Sequence, residues 1–135
     1  MENTNIETFG VHFMLDGYGA NKEILADKAK LEKMLSEIPV AMGMYTISKP
    51  FVLEVGPLNR KDPGGLSGFV LIAESHISFH TFPKRGFVTI DVYTCQNVLD
   101  TKKLTELFIE TFDIQDHDMY IINRGTKYPV ENIYN

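Results

Sequence analysis

Cysteine is scarce: the chain of 135 residues holds one, Cys95. That excludes an internal disulfide and fits a reducing, cytoplasmic setting. Long apolar runs are also missing. No stretch approaches the ~20 residues of a membrane-spanning helix, and the first residues lack the basic and apolar regions of a secretion signal. No membrane partner is therefore expected. There is no internal repeat and no low-complexity segment. Neither sign of charge is concentrated; acids and bases are interspersed, and the formal net charge is −5. This balance argues against nucleic acid as the main partner and is compatible with a small cationic substrate. No Gly-x-Ser-x-Gly elbow surrounds Ser75, so a hydrolase reading is poor.

What is present reads as one soluble domain, residues 1–135, with 44% hydrophobic and 23% charged residues. Met1 to Thr8 is polar and expected to be loose. Phe9 to Leu15 alternates as a strand does, and Asp16-Gly17-Tyr18-Gly19 reads as a turn. Asn21 to Ile38 reads as helix, with Asp27 as a second start inside it. Leu31, Met34, Leu35 and Ile38 form its apolar stripe, and Pro39 is expected to stop it. Met44 to Val55 is strand-like, with Pro50 pointing to an edge or a bulge. Gly56 to Gly65, rich in glycine and proline, is a loop. Asp100 caps a second helix carrying Leu104, Leu107, Phe108, Ile109 and Phe112. Asp118 to Asn123 is a last strand with Met119, Ile121 and Ile122, and the tail after Gly125 shows no period. The order β-α-β-β-β-β-α-β predicts an α+β fold: a mainly antiparallel sheet with two helices on one face.

The stretch Leu66 to Cys95 organises the rest. Gly68 to Ala73 is a continuous apolar strand, and His76 to Phe82 and Phe87 to Thr94 are two more. Pro83-Lys84-Arg85-Gly86 turns the chain between the last two. A hairpin about that turn pairs Phe82 with Phe87, His80 with Thr89, Ser78 with Asp91 and His76 with Tyr93. Extended backwards, it sets Glu74 against Cys95. Paired residues share a face. His76, Ser78, His80, Phe82, Asp91 and Cys95 then occupy one face, and Ile77, Phe79, Val88, Ile90 and Val92 the other. The second face is core. The first gathers imidazoles, a hydroxyl, a thiol and an aromatic ring, which an ordinary solvent face rarely does.

These residues resemble a family. Glu74-Ser75-His76, then His80-Thr81-Phe82-Pro83, then Asp91-Val92-Tyr93-Thr94-Cys95 are similar to the S-adenosylmethionine decarboxylase proenzymes of bacteria and archaea. Gly10-Val11-His12 with Asp16-Gly17-Tyr18-Gly19, and Leu66-Ser67-Gly68, resemble the same proteins. The resemblance runs from about Phe9 to Gly125, with its motifs in order and at matching spacing. It implies an α/β sandwich, a homodimer of processed protomers and a decarboxylase that makes its own cofactor. In such a protein Ser75 attacks the Glu74 carbonyl, and the peptide bond becomes an ester. Elimination then cuts the chain into 1–74 and 75–135, and residue 75 becomes a covalent pyruvoyl group. The chemistry explains the need. Decarboxylating an α-amino acid leaves an electron pair that no standard side chain can absorb, and a keto group joined to the substrate amine can.

The resemblance also assigns roles. His80 handles protons during self-cleavage, where a near-neutral imidazole suits elimination. Ser67 supplies an assisting hydroxyl, and Cys95 returns a proton to the substrate α-carbon. Phe82 offers a ring for adenine. A lone serine, strand histidine, turn serine or single cysteine would otherwise be read as structural. A metal is not expected: on a strand, His76 and His80 lie about 13 Å apart, too far to share an ion. One position departs from the family, which usually carries glutamate where this chain has Lys84. That glutamate accepts hydrogen bonds from the ribose; Lys84 has only donors. Another acid, Glu74 or Asp16, would have to serve. Three readings follow: S-adenosylmethionine decarboxylation for spermidine synthesis, a pyruvoyl arginine or ornithine decarboxylase, and an unprocessed, non-catalytic homologue.

Overall fold

The computed structural model describes residues 3–5, 8–96 and 98–129. Its elements are β1 (Asn3–Asn5), β2 (Gly10–Tyr18), α1 (Lys22–Leu25), α2 (Lys28–Ala41), β3 (Phe51–Val55), β4 (Gly65–Ile72), β5 (Ser75–Phe82), β6 (Phe87–Thr94), β7 (Val98–Asp100), α3 (Thr101–Phe112) and β8 (Asp116–Arg124). Six strands form one sheet in the order β3-β4-β5-β6-β2-β8, and every neighbouring pair is antiparallel. The α+β expectation holds, with α1 as a third, one-turn helix.

Alternation decides which sheet face is core. Val11, Phe13 and Leu15 of β2, Ile77 and Phe79 of β5, and Val88, Ile90 and Val92 of β6 are buried. They meet Leu31, Met34, Leu35 and Ile38 of α2 and Leu104, Phe108 and Phe112 of α3 in one apolar cluster. Among the described residues no helix covers the other face. It exposes Phe51, Leu53 and Val55 of β3, Phe69 and Leu71 of β4, and Tyr120 and Ile122 of β8.

The β5–β6 hairpin has the register read from sequence: Phe82 opposite Phe87, His80 opposite Thr89, Ser78 opposite Asp91, His76 opposite Tyr93. Pro83–Arg85 forms a single 3₁₀ turn, closed by Gly86 in the left-handed region. Both helix starts are capped as read, the Asp27 side chain accepting from the Lys30 N–H and Asp100 from that of Lys103. Gly65 is required by close approach: a Cβ there would run into the Thr81 carbonyl oxygen.

Four local expectations are corrected. The strand from Phe9 does not end at Leu15; β2 runs through Asp16 and Gly17 to Tyr18, because it pairs on both sides, with β6 and β8. Pro39 does not stop α2, which continues to Ala41 with Pro39 buried. Only one N–H is lost, close to the helix end, and the Met42 N–H still finds the Ile38 and Pro39 carbonyls. Met44 to Val55 is not one strand. β3 starts after Pro50 and lies at the sheet edge, and the earlier part touches the sheet only through a bridge from Thr46 to Ile72. Asn3–Asn5, expected to be loose, pairs with β7 in a second, two-stranded sheet. No helix among the described residues is long and apolar enough to cross a membrane.

Candidate active site

β4 and β5 are joined by a two-residue turn, Ala73-Glu74, closed by the pair Ile72 and Ser75. Glu74 has φ 60, in the left-handed region that costs a residue with a Cβ about 1 kcal/mol or more. The bond after it, Glu74–Ser75, is the cut expected from sequence. Ser75 is buried, 8% exposed, at the first position of β5. Its Oγ accepts the backbone N–H of Cys95 at 3.3 Å. The Cys95 Sγ in turn donates to Glu74 Oε1 at 3.5 Å. The expected pairing of Glu74 with Cys95 is thus a side-chain contact. Burial pushes the Cys95 thiol above its ordinary range; the bond to the Glu74 carboxylate adds to this, and the contact with Ser75 works against it. A cavity of about 170 Å³ adjoins the cluster, lined by Met44, Tyr45, Ile72, Ala73, Ser75 and Cys95 among others.

A second cluster sits at the other end of β5. Ser67 of β4 lies opposite His80 in the sheet register. The Ser67 hydroxyl and His80 Nδ1 are hydrogen-bonded at 2.7 Å. Phe82 stacks on Phe87 with ring centres 5.5 Å apart, and Phe87 stacks on Tyr18 at the same distance. A small cavity of about 50 Å³ is bounded by Val55, Asp62, Ser67, His80 and Phe82 among others. Asp62 was not singled out from sequence, because nothing in a glycine- and proline-rich loop marks one acid as facing a strand. Lys84 is exposed on the 3₁₀ turn.

The expected residues therefore fall into two groups. Ser75, Glu74 and Cys95 are together; Ser67, His80 and Phe82 are together. Five positions separate Ser75 from His80 along one strand, about 17 Å at ~3.3 Å per residue. An odd separation on a strand also sends the two side chains to opposite faces.

The open face also carries acids. His12 Nε2 donates to Asp91 Oδ1 at 3.0 Å. The Asp16 carboxyl is pushed up by burial first, then by the neighbouring Asp118 and Asp91 carboxylates. Tyr18 donates to Asp118 at 2.9 Å, which drives its phenol up to about 12. His76 rests against Tyr93, ring centres 5.7 Å apart, and Arg124 lies over the same tyrosine ring. Among the described residues no three His, Cys, Asp or Glu side chains gather as a metal site. Thr81, which the sequence places in the motif without a role, is structural. Its hydroxyl donates to the Leu25 carbonyl at 2.7 Å and accepts the Leu66 N–H at 3.0 Å, tying α1 to the sheet behind Phe82.

Residues 11–125 match the family model described as S-adenosylmethionine decarboxylase. The chain belongs to that family. It is 32% identical over 117 residues to the S-adenosylmethionine decarboxylase proenzyme of Archaeoglobus fulgidus, covering 86% of this chain and 97% of that protein. It is 35% identical over 116 residues to the proenzyme of Pyrobaculum arsenaticum, covering 86% and 88%. The crystal structure of the adenosylmethionine decarboxylase from Aquifex aeolicus superposes with a TM-score of 0.73 at 27% identity, over 95% of this chain and 98% of that one.

Proposed function

We propose that this protein is a self-processing, pyruvoyl-dependent carboxy-lyase that decarboxylates S-adenosylmethionine, supplying the aminopropyl donor for spermidine synthesis. The observation that carries the reading is the family match over residues 11–125 together with the Glu74–Ser75–Cys95 cluster at the expected cut. In this reading the chain is cut into 1–74 and 75–135. Ser75 is the nucleophile toward the Glu74 carbonyl. The left-handed Glu74 supports it, because a strained residue beside the bond favours leaving the intact amide.

The residues fit a pyruvoyl group at position 75: a hydroxyl-bearing residue at the end of a strand, an adjoining cavity, and a thiol within reach. Bound there, the group would supply the electron sink for loss of carbon dioxide. The side chains do the rest. Cys95 keeps a proton at Sγ for the carbon that lost its carboxylate. Phe82 presents a ring to adenine. Asp16, Asp91 and Asp118 favour a cationic substrate on the open face.

The same geometry supports a homodimer. A general base must come within hydrogen-bond reach of the proton it takes, and His80 is about 17 Å from Ser75 of its own chain. We assign the Ser67–His80 pair to the Ser75 of a second copy. The open sheet face, with seven exposed apolar side chains on three strands, is where the copies would meet.

Purified protein tests the reading by chain mass and by carbon dioxide release from carboxyl-labelled S-adenosylmethionine, arginine and ornithine. The expected result is two fragments and release from S-adenosylmethionine. Lys84 is the one feature favouring the other amino acids, so release from arginine or ornithine alone would replace the substrate. An intact chain in active enzyme would overturn the pyruvoyl mechanism.

A further inference from the structure

Glu74, the residue that the proposed cut would leave at the end of the first fragment, contacts the thiol of the site. Glu74 sits in a left-handed turn, and the Cys95 thiol donates to its carboxylate at 3.5 Å. We propose that Glu74 is the positioning residue for the proton donor: its carboxylate accepts the Cys95 S–H and holds that side chain beside residue 75. This rests on the decarboxylase reading and adds to it, since Glu74 would become the last residue of the first fragment.

The need for such a device is chemical. Loss of carbon dioxide leaves an electron pair on the substrate α-carbon. The Cys95 proton forms the new C–H bond, the S–H pair stays on sulfur as a thiolate, and water returns the proton. A thiolate present before that moment could not donate, and it would be a nucleophile beside an electrophilic carbonyl. Most cysteines at active sites have the opposite surroundings, with nearby cations that favour the thiolate. Here the charged group acting on Cys95 is an acid. Among the described residues, the others that contact Cys95 or line the shared cavity with it, Ser75 from β5 and Tyr45, Met44 and Gln96, bring no cation. Burial and the Glu74 bond both hold the thiol above its ordinary range, and a negative charge next to the sulfur opposes a second one.

Because Cys95 is the only cysteine, its titration can be read directly by the pH dependence of iodoacetamide alkylation. The first arm uses full-length Ser75→Ala, in which processing and turnover play no part, with and without Glu74→Ala. Removing the carboxylate should move the alkylation midpoint to lower pH and speed alkylation at neutral pH by about three- to tenfold. Glu74→Gln, which keeps an acceptor but no charge, should fall between. Alanine and glutamine share the backbone limits of glutamate, so the turn is not otherwise eased. An unchanged midpoint and rate in the alanine variant would overturn the proposal, whatever the enzyme turns out to decarboxylate. The second arm uses processed enzyme with S-adenosylmethionine. Glu74→Ala should inactivate after fewer turnovers than the parent, as protons reach the wrong carbon. A variant with the shifted midpoint and an unchanged number of turnovers would remove the catalytic part of the role. Absence of any turnover in the parent would count against the decarboxylase reading alone.

Discussion

Ser75 and His80 lie on the same strand, five positions apart, with the serine buried at one end and the imidazole exposed toward the other. His80 is instead bound to Ser67 of the neighbouring strand. A proton cannot pass between residues so placed without a carrier. If a second copy supplies His80, two defective chains should repair each other. Ser75→Ala and His80→Ala, each expressed alone, should stay full length. Co-expressed with different tags, some His80→Ala chains should be cut, because they meet the intact His80 of a Ser75→Ala partner. Tag-specific mass measurement reads this, and the absence of cut chains in confirmed mixed dimers would place the imidazole's action within one chain.

Cleavage and turnover should also separate by residue. Cys95 contacts Ser75 through its backbone N–H, which any residue but proline retains. Cys95→Ala should therefore still be cut, yet release carbon dioxide at least about a hundredfold more slowly, the lower range for losing a positioned proton donor. Full activity in that variant would remove the thiol from the mechanism, and with it the role proposed for Glu74.

Much of this was legible in the sequence where alternation is strict. His76 to Phe82 and Phe87 to Thr94 each place polar and apolar residues on opposite faces. A one-residue slip would expose Ile77, Phe79, Val88, Ile90 and Val92, so only one register was physically acceptable. That register carried the Glu74–Cys95 contact with it. Elsewhere period said little. Gly17 lies within β2 although it reads as a turn residue, because Ile114 and Val88 fill the space where a Cβ would be. The separation of Ser75 from His80 follows from spacing and parity on one strand, and the second copy proposed to bridge it is not something a single sequence displays. Glu74 in the left-handed region was hidden as well, since glutamate is a poor marker of positive φ.

Thr81 offers a stability test distinct from catalysis. It lies in the His80-Thr81-Phe82 motif, yet it faces the core and is 2% exposed. Its hydroxyl is shared by the Leu25 carbonyl and the Leu66 N–H. Thr81→Val keeps the shape and leaves both backbone groups without that partner. Unpaired buried polar groups cost about 1–3 kcal/mol each, so the chain should lose at least that much in urea unfolding. Thr81→Ser, which keeps the hydroxyl, should lose less. Equal stability of the valine variant and the parent would mean water replaces the hydroxyl at no cost.

Glu74 should carry a measurable strain. A residue with a Cβ in the left-handed region costs about 1 kcal/mol relative to glycine. In the uncut Ser75→Ala background, Glu74→Gly should therefore raise stability by about that amount, despite loss of the contact with Cys95. In the parent, the same change should slow cutting, since the intact turn is relieved. A glycine variant that is no more stable and is cut at the parent rate would show that the turn is unstrained.

The last prediction concerns the ribose. Lys84 replaces the glutamate usual in the resembling proteins, and it stands exposed on the 3₁₀ turn. Asp62 instead borders the cavity shared by Ser67, His80 and Phe82. One of its oxygens accepts the Gly64 N–H at 3.0 Å, so the loop holds the carboxylate at that position. A carboxylate has room for further donors, whereas an ammonium accepts none. Asp62 thus meets the requirement that Lys84 fails, beside the ring expected to stack on adenine, and it is better placed than Glu74, which is engaged with Cys95. Asp62→Asn keeps an acceptor for Gly64 but weakens a charge-assisted bond to a diol. It should raise KM for S-adenosylmethionine about tenfold or more, with cutting intact. Lys84→Glu should change kcat/KM by less than about threefold, as expected of a solvated turn residue. The reverse pattern, a large gain from Lys84→Glu and none lost with Asp62→Asn, would put residue 84 against the substrate and return the acceptor to the position that the family resemblance implies.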